Sequence, residues 1–332
     1  MRILILGGTR FVGRAAAEYA VTTGDDVTLV NRGTSPGPAG VTTVIADRRV
    51  EGDLDRALAG RGDWDLVFDT WSAEPRVVAR AADTLANRAA HYAYVSSRSV
   101  YQWPPSAADE TARTVDGDPD AASTGDYAAD KRGAELAVQR AFGESSTLAR
   151  AGLILGPREN IGRLAYWLHR FAENDGTTVL APGRPERPLQ YVDARDLSAW
   201  LIEAGRNGTG GAFDVVSRTG HATMGSLLEA VALATGVRPD LRWVEEEVLL
   251  GEGITGWVDL PIWAPESTEY AALHSSDVEA AYSAGLRCRP VLETVIDTWV
   301  ALGKEPAPPA PPGRDLGYLS REREAQLLAL GG

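Results

Sequence analysis

The sequence predicts an α/β fold: a doubly wound parallel sheet with a smaller, interleaved and mostly helical C-terminal lobe. Three observations carry that prediction. Short apolar runs alternate with helical periods through the first half of the chain, the pattern of strands buried on both faces and joined by crossover helices. A glycine-rich turn, with Gly7, Gly8 and Gly13, follows directly on the first apolar run. Beyond Gly156 and Pro157 the alternation loosens, and tryptophans collect between Thr223 and Leu302.

The elements follow in order. Arg2 to Leu6 reads as the first strand, and Val12, Ala16, Tyr19 and Ala20 fall at helical spacing behind it. Val27 to Val30, Thr43 to Ala46, Leu66 to Phe68, Tyr92 to Val95 and Thr147 to Ala149 repeat the strand signal, with helical stretches such as Arg76 to Leu85 and Ala128 to Ala141 among them. A helix is expected over Gly162 to Glu173, then a Pro-rich turn at Ala181 to Pro188 and a further strand and helix in "LQYVDARDLSAWLIEA". Phe213 to Val216 looks like another sheet strand, so the second lobe is interleaved with the first. Thr223 to Leu302 reads as helical. "EPAPPAPPG" reads as a stiff linker, and Ser320 as the cap of a short helix through Leu330. The expected division is a dinucleotide-binding domain over 1–157 with about 189–217, a substrate lobe over 158–188 and 218–303, and a linker and C-terminal helix over 304–332.

Charge narrows the partners. With 33 Lys and Arg against 46 Asp and Glu the net charge is −13, which opposes nucleic acid and anionic membranes, both of which bind through clustered cations. No run approaches the roughly 18 apolar residues of a membrane span, so a cytoplasmic location is expected. The one cysteine, Cys288, excludes an internal disulfide, and the four histidines are scattered without ligand spacing, so no metal is expected. Only two lysines occur, Lys131 and Lys304. In a chain that otherwise uses arginine, a lysine hints at chemistry that arginine cannot perform.

The turn "GGTRFVG" spans Gly7, Thr9, Arg10, Phe11, Val12 and Gly13. Glycines let the backbone turn tightly and let helix and sheet approach, while the helix N-terminus offers free amides to a pyrophosphate. The second strand ends in Asn31 and Arg32, where folds that select NAD carry an acid for the ribose hydroxyls. Arg32, with Arg10, favours a 2′-phosphate, so NADP is expected with NAD as the alternative. Asp47, ending the third strand, is a candidate acceptor for the adenine amino group.

At the other end, "HYAYVSSRSVY" finishes in Ser96 and Ser97, and "DYAADKRGAEL" places Tyr127 and Lys131 four apart on one helical face. A phenol with an ordinary pKa of about 10 is a poor base at neutral pH. Bringing it to about 7 takes roughly 4 kcal/mol, which close cations can provide. A serine hydroxyl can then hold the substrate oxygen.

Taken in order, "GGTRFVG", "VSSRSVY", "YAADK", "ILGP" and "YVDARDL" resemble the short-chain dehydrogenase/reductase superfamily. Within it the chain is similar to the extended or atypical branch, the NAD-dependent epimerase/dehydratase family, and to a subgroup marked by "GGTRF". The resemblance implies a Rossmann fold and a catalytic set of Ser97, Tyr127 and Lys131, with Ser96 as a substitute for Ser97. It further implies that Lys131 holds the nicotinamide ribose and that Gly152 to Ile154 lie near the nicotinamide. Sugar-nucleotide dehydratases of the family carry an Asp–Glu pair where this chain has Arg98 and Ser99, so dehydration is not expected.

The expected activity is NADP(H)-dependent interconversion of a ketone and a secondary alcohol on a small molecule. Epimerisation of a sugar or sugar-nucleotide through a transient ketone is the alternative, and a non-enzymatic cofactor sensor a third. Candidate substrate contacts are Arg163, Tyr166, Trp167, Arg187, Trp257 and Trp263, and the chain is expected as a monomer or homodimer.

Overall fold

The strand β1 (Arg2–Leu6) shows why the sheet forms: Ile3 to Leu6 are apolar without interruption and all are buried, as a strand covered on both faces requires. The computed structural model describes residues 1–173, 176–267, 269–303 and 318–330. The chain divides into two units. Met1–Gly152, Ala194–Val216 and Asp277–Cys288 make the first, and Leu153–Asp193, Ser217–Ser276 and Arg289–Gly332 the second.

In the first unit β1 is followed by α1 (Phe11–Thr22), β2 (Asp26–Asn31), β3 (Thr42–Ile45), α2 (Asp53–Leu58), β4 (Trp64–Asp69), α3 (Pro75–Leu85), β5 (Ala89–Ser97), α4 (Tyr127–Phe142), β6 (Ser146–Ala151), α5 (Ala194–Arg206) and β7 (Gly211–Val215). The seven strands are all parallel, in the order β7-β6-β5-β4-β1-β2-β3. Strand order reverses at β1, with Leu4 beside Thr28 of β2 and Val67 of β4. In such a doubly wound Rossmann sheet, ligands bind beyond the carboxyl ends of the strands at this switch. α1 packs with α5 and α3 with α4. The first contact is close because, beyond Val12, α1 buries only glycine and alanine, at Gly13, Ala15 to Ala17 and Ala20, and Ser198 of α5 donates to the Val12 carbonyl at 3.0 Å. Truncating a fully buried residue such as Leu4 to alanine costs about 2–5 kcal/mol in a core of this kind.

The second unit buries Trp167, Phe171, Tyr191, Leu228 and Trp263 together. Its first helix is Arg163–Ala172, and Val179–Pro182 pairs in parallel with Leu241–Val244. The sequence expectation that Thr223 to Leu302 is helical holds only in part. Helix Met224–Thr235 stops at Gly236, which takes φ +75°, a left-handed stop that glycine favours. A strand, the short helix Glu246–Gly251 and an irregular stretch follow, punctuated by Pro239, Pro261 and Pro265, because proline cannot donate to a helix interior. Helix then resumes at Glu279–Ser283 and Val291–Ala301.

The C-terminal helix runs Arg321–Leu330, and the Ser320 hydroxyl accepts from the Arg323 amide at 3.2 Å. The Pro-rich linker expected before it lies outside the described residues.

Candidate active site

The turn after β1 tolerates little substitution. Gly7 and Gly8 sit at φ +121° and +87°, and a Cβ on Gly13 would lie 2.8 Å from the Gly8 amide nitrogen. Arg10 precedes α1 in an extended conformation and its side chain caps none of the first amides. Phe11 takes φ +37°, uncommon outside glycine. Val12 and Gly13 are buried behind the turn. The helix end thus keeps the polarity that suits an anion.

A cavity of about 400 Å³ opens over this turn, walled by the ends of β1, β2, β3 and β4. Thr9, Arg10, Asn31, Arg32 and Asp47 all line it, and Arg48 and Trp71 join them. Asn31 Oδ1 accepts from the Gly33 amide at 2.7 Å, which leaves its amide nitrogen buried and without a partner. Trp71 Nε1 and Arg48 Nε are likewise buried and unpartnered. An unsatisfied buried donor costs about 1–3 kcal/mol, so three on one wall fit a ligand rich in acceptors, such as a dinucleotide. Asp47 is held down to about 2, chiefly by hydrogen bonds from the Arg49 side chain, and stays a carboxylate acceptor.

Beneath the cavity Arg48 closes a bidentate pair on Asp69, at 2.7 and 2.6 Å, with its guanidinium 5.3 Å from the Trp71 ring centre. Burial alone would push Asp69 up, but Arg48 and the Tyr92 hydroxyl hold it below the usual carboxylate range.

The catalytic candidates share two neighbouring elements. Asp126 caps α4 by accepting from the Ala128 amide at 2.9 Å, which starts the helix at Tyr127, 50% exposed. One turn on, Lys131 is buried, and its Nζ donates to the Val95 carbonyl at 2.7 Å, two residues before Ser97 on β5. The same Nζ donates to the Trp71 carbonyl at 2.8 Å and the Tyr94 hydroxyl at 3.1 Å. Burial pushes this lysine down to about 7, against the pull of Asp69 and Glu135. Ser97 is half-buried, and its Oγ accepts from the Ser99 amide at 3.1 Å as the cap of the short turn Arg98–Val100.

Ser96 does not share that position. It is buried, and its hydroxyl donates to Glu135 at 2.8 Å, inside a cluster in which Arg150 also grips Glu135 at 2.9 Å. Strand alternation is the reason: adjacent residues point to opposite faces, so Ser96 is committed to the interior. A Cβ on Gly152, after β6, would meet Val216 at 2.6 Å, so no larger residue fits there.

In the second unit Ile154 lies on Leu153–Leu155, paired with Tyr191–Asp193. Arg163 opens its helix, 5.0 Å from the Trp257 ring centre, and Tyr166 stacks edge-on against Tyr318. Trp167 and Trp263 are fully buried; the Trp167 indole donates to the Pro261 carbonyl at 2.9 Å. Both belong to the core of this unit: Trp167 on the apolar face of its helix, and Trp263 in the irregular stretch between Pro261 and Pro265. Arg187 is buried against Glu266 at 2.7 Å, yet its Nη2 has no partner and it lines a second cavity, of about 360 Å³.

Sequence reasoning missed Arg48, Asp69, Trp71 and Tyr94. A usable signal existed for two of them: Asp69 and Trp71 stand at the carboxyl end of β4, beside the switch point where ligands collect.

Residues 3–215 match the family model described as the NAD dependent epimerase/dehydratase family. No curated protein matches the chain by sequence. Solved structures do resemble it. The Bordetella bronchiseptica enzyme WbmH, in complex with NAD+, superposes with a TM-score of 0.65 at 16% identity, over 92% of this chain and 99% of that one. The UDP-glucose 4-epimerase of Thermus thermophilus, in complex with NAD, gives 0.63 at 20% identity over 91% and 99%. That of Thermotoga maritima, with UDP-glucose, gives 0.62 at 18% over 92% and 99%.

Proposed function

Since the chain belongs to the NAD-dependent epimerase/dehydratase family, we propose that it inverts a secondary alcohol carbon of a sugar or sugar-nucleotide through a transient ketone. The observation that carries this reading is the buried Lys131 ammonium at the strand end two residues before Ser97, one helical turn from Tyr127. Tyr127 removes the substrate hydroxyl proton and later returns it. Lys131 favours the phenolate electrostatically, and the Ser97 hydroxyl holds the reacting oxygen. A bound nicotinamide dinucleotide would supply the hydride acceptor and donor.

The wall of Asn31, Arg48 and Trp71 donors, with the glycine turn, would hold that cofactor. Arg10 and Arg32 on the same wall support NADP, while the NAD in two of the similar structures supports NAD. Simple ketone/alcohol oxidoreduction, the first expectation from sequence, has less support than epimerisation, because the family match and the solved epimerases favour the latter.

The test is NMR of UDP-hexoses incubated with the enzyme and substoichiometric cofactor. Inversion at one carbon without accumulation of reduced nicotinamide supports the reading. Stoichiometric consumption of reduced cofactor by a carbonyl substrate, with no inversion, returns the assignment to an oxidoreductase.

A further inference from the structure

We propose that Tyr94 is a positioning residue for Lys131, fixing the ammonium through its phenol oxygen against the carbonyls of Trp71 and Val95. The proposal rests on the reading of Tyr127 and Lys131 as the catalytic pair.

An ammonium has three donors, and the three distances to Trp71, Val95 and Tyr94 account for them. Two of the acceptors are backbone and rigidly held. Val95 sits in β5, between β4 and β6. Trp71 is tied by its own amide to Asp69 Oδ1 at 2.9 Å, and Asp69 is fixed in turn by Arg48. The third acceptor is a side chain with a defined polarity. The Tyr94 hydroxyl donates its one hydrogen to the Trp71 carbonyl at 2.9 Å, so toward Lys131 it can only accept. Its ring adds a second attraction, with Nζ 4.6 Å from the ring centre. Both contacts favour the charged amine.

The groups that face this ammonium come from three elements. Asp69 on β4 and Glu135 on α4 pull toward the charged form; Tyr94 lies on β5, with Arg48 and Tyr92 behind Asp69 and Tyr127 a turn earlier on α4. Because burial already brings Lys131 down to about 7, the loss of one acceptor moves its charge across neutral pH. Tyr94→Phe keeps the ring and removes that acceptor, together with the hydrogen bond the hydroxyl donates to the Trp71 carbonyl.

The chain has two lysines, so a Lys304→Arg background carrying 13C,15N-lysine gives a single side-chain signal, that of Lys131. Its NMR titration is expected to fall by about one unit or more in Tyr94→Phe, and the alkaline limb of the kcat profile to move acidward with it. An unchanged Lys131 titration overturns the proposal, even if Tyr127→Phe abolishes turnover. A shifted titration in a protein that turns over no sugar leaves Tyr94 as the positioning residue and removes the proposed function instead. If Tyr94→Phe does not fold, the wild-type Tyr94 Cζ resonance decides: it follows the Lys131 midpoint if the two are bonded and ignores it if they are not.

Discussion

Arg98 and Asp214 form a buried ion pair, Nε to Oδ2 at 3.2 Å, with side chains 5% and 1% exposed. Asp214 also accepts from the Tyr101 hydroxyl at 2.7 Å, and Arg150 reaches that hydroxyl in turn at 3.1 Å. The residue standing where related dehydratases carry an acid is therefore part of the interior of the sheet's edge. Arg98→Met, which removes the counter-charge of a buried carboxylate, is expected to cost about 3–5 kcal/mol in urea unfolding. Arg98→Met with Asp214→Asn should recover much of that loss; an additive double variant would show that the pair is not coupled.

Tyr127 is half exposed and begins its helix. Tyr127→Phe is expected to bind cofactor as wild type does and to lose turnover by about 10²-fold or more. Single-turnover kinetics beside fluorescence titration of cofactor checks this. Retained turnover removes the proton-transfer role.

Lys131 gives a pH dependence of stability whose sign is fixed. Its folded pKa of about 7 lies below the roughly 10.4 of an unfolded lysine. Between those values the unfolded chain binds a proton that the folded chain has released, so this group makes stability rise with pH across that window. Relative to wild type, Lys131→Met should be at its most stable below pH 7 and lose that advantage steadily toward pH 10. Urea midpoints of both proteins at pH 6 and pH 9 test it, and a pH-independent difference contradicts it.

Arg32 is exposed beside Asn31 on the cavity wall. If it meets a 2′-phosphate, Arg32→Ala weakens NADPH by about tenfold to a hundredfold and leaves NADH nearly unchanged, since a charge-assisted contact is worth roughly 1.5–3 kcal/mol. Calorimetry with both reduced cofactors distinguishes this from an equal effect on the two.

The parts legible in the sequence are those set by local pattern. Ile3 to Leu6 declares a strand covered on both faces, Gly13 a close helix approach, and Tyr127 with Lys131 a shared helical face. What was hidden depends on partners distant along the chain. Arg48 and Asp69 are 21 residues apart and Tyr94 and Lys131 37; within "HYAYVSS" Tyr94 reads only as another strand aromatic. Trp167 and Trp263 announced burial without saying whether a ligand or the core would cover them. The stretch after Gly236 misled because its apolar content suits a helix while its prolines forbid one.

The first unit is completed by a segment made late. The Asp277 amide reaches the Ala108 carbonyl at 2.8 Å, and the Trp200 indole on α5 reaches the Ala284 carbonyl at 3.1 Å. On the ribosome, a nascent chain that has emerged as far as Val216 already owns all seven strands. It still lacks the acceptor for Trp200, so that indole must wait, solvated or held by a chaperone, until the chain has grown from Val216 to Ala284. Synthesis order thus leaves a window in which a finished sheet carries an unfinished flank, and a pause in translation there would lengthen it.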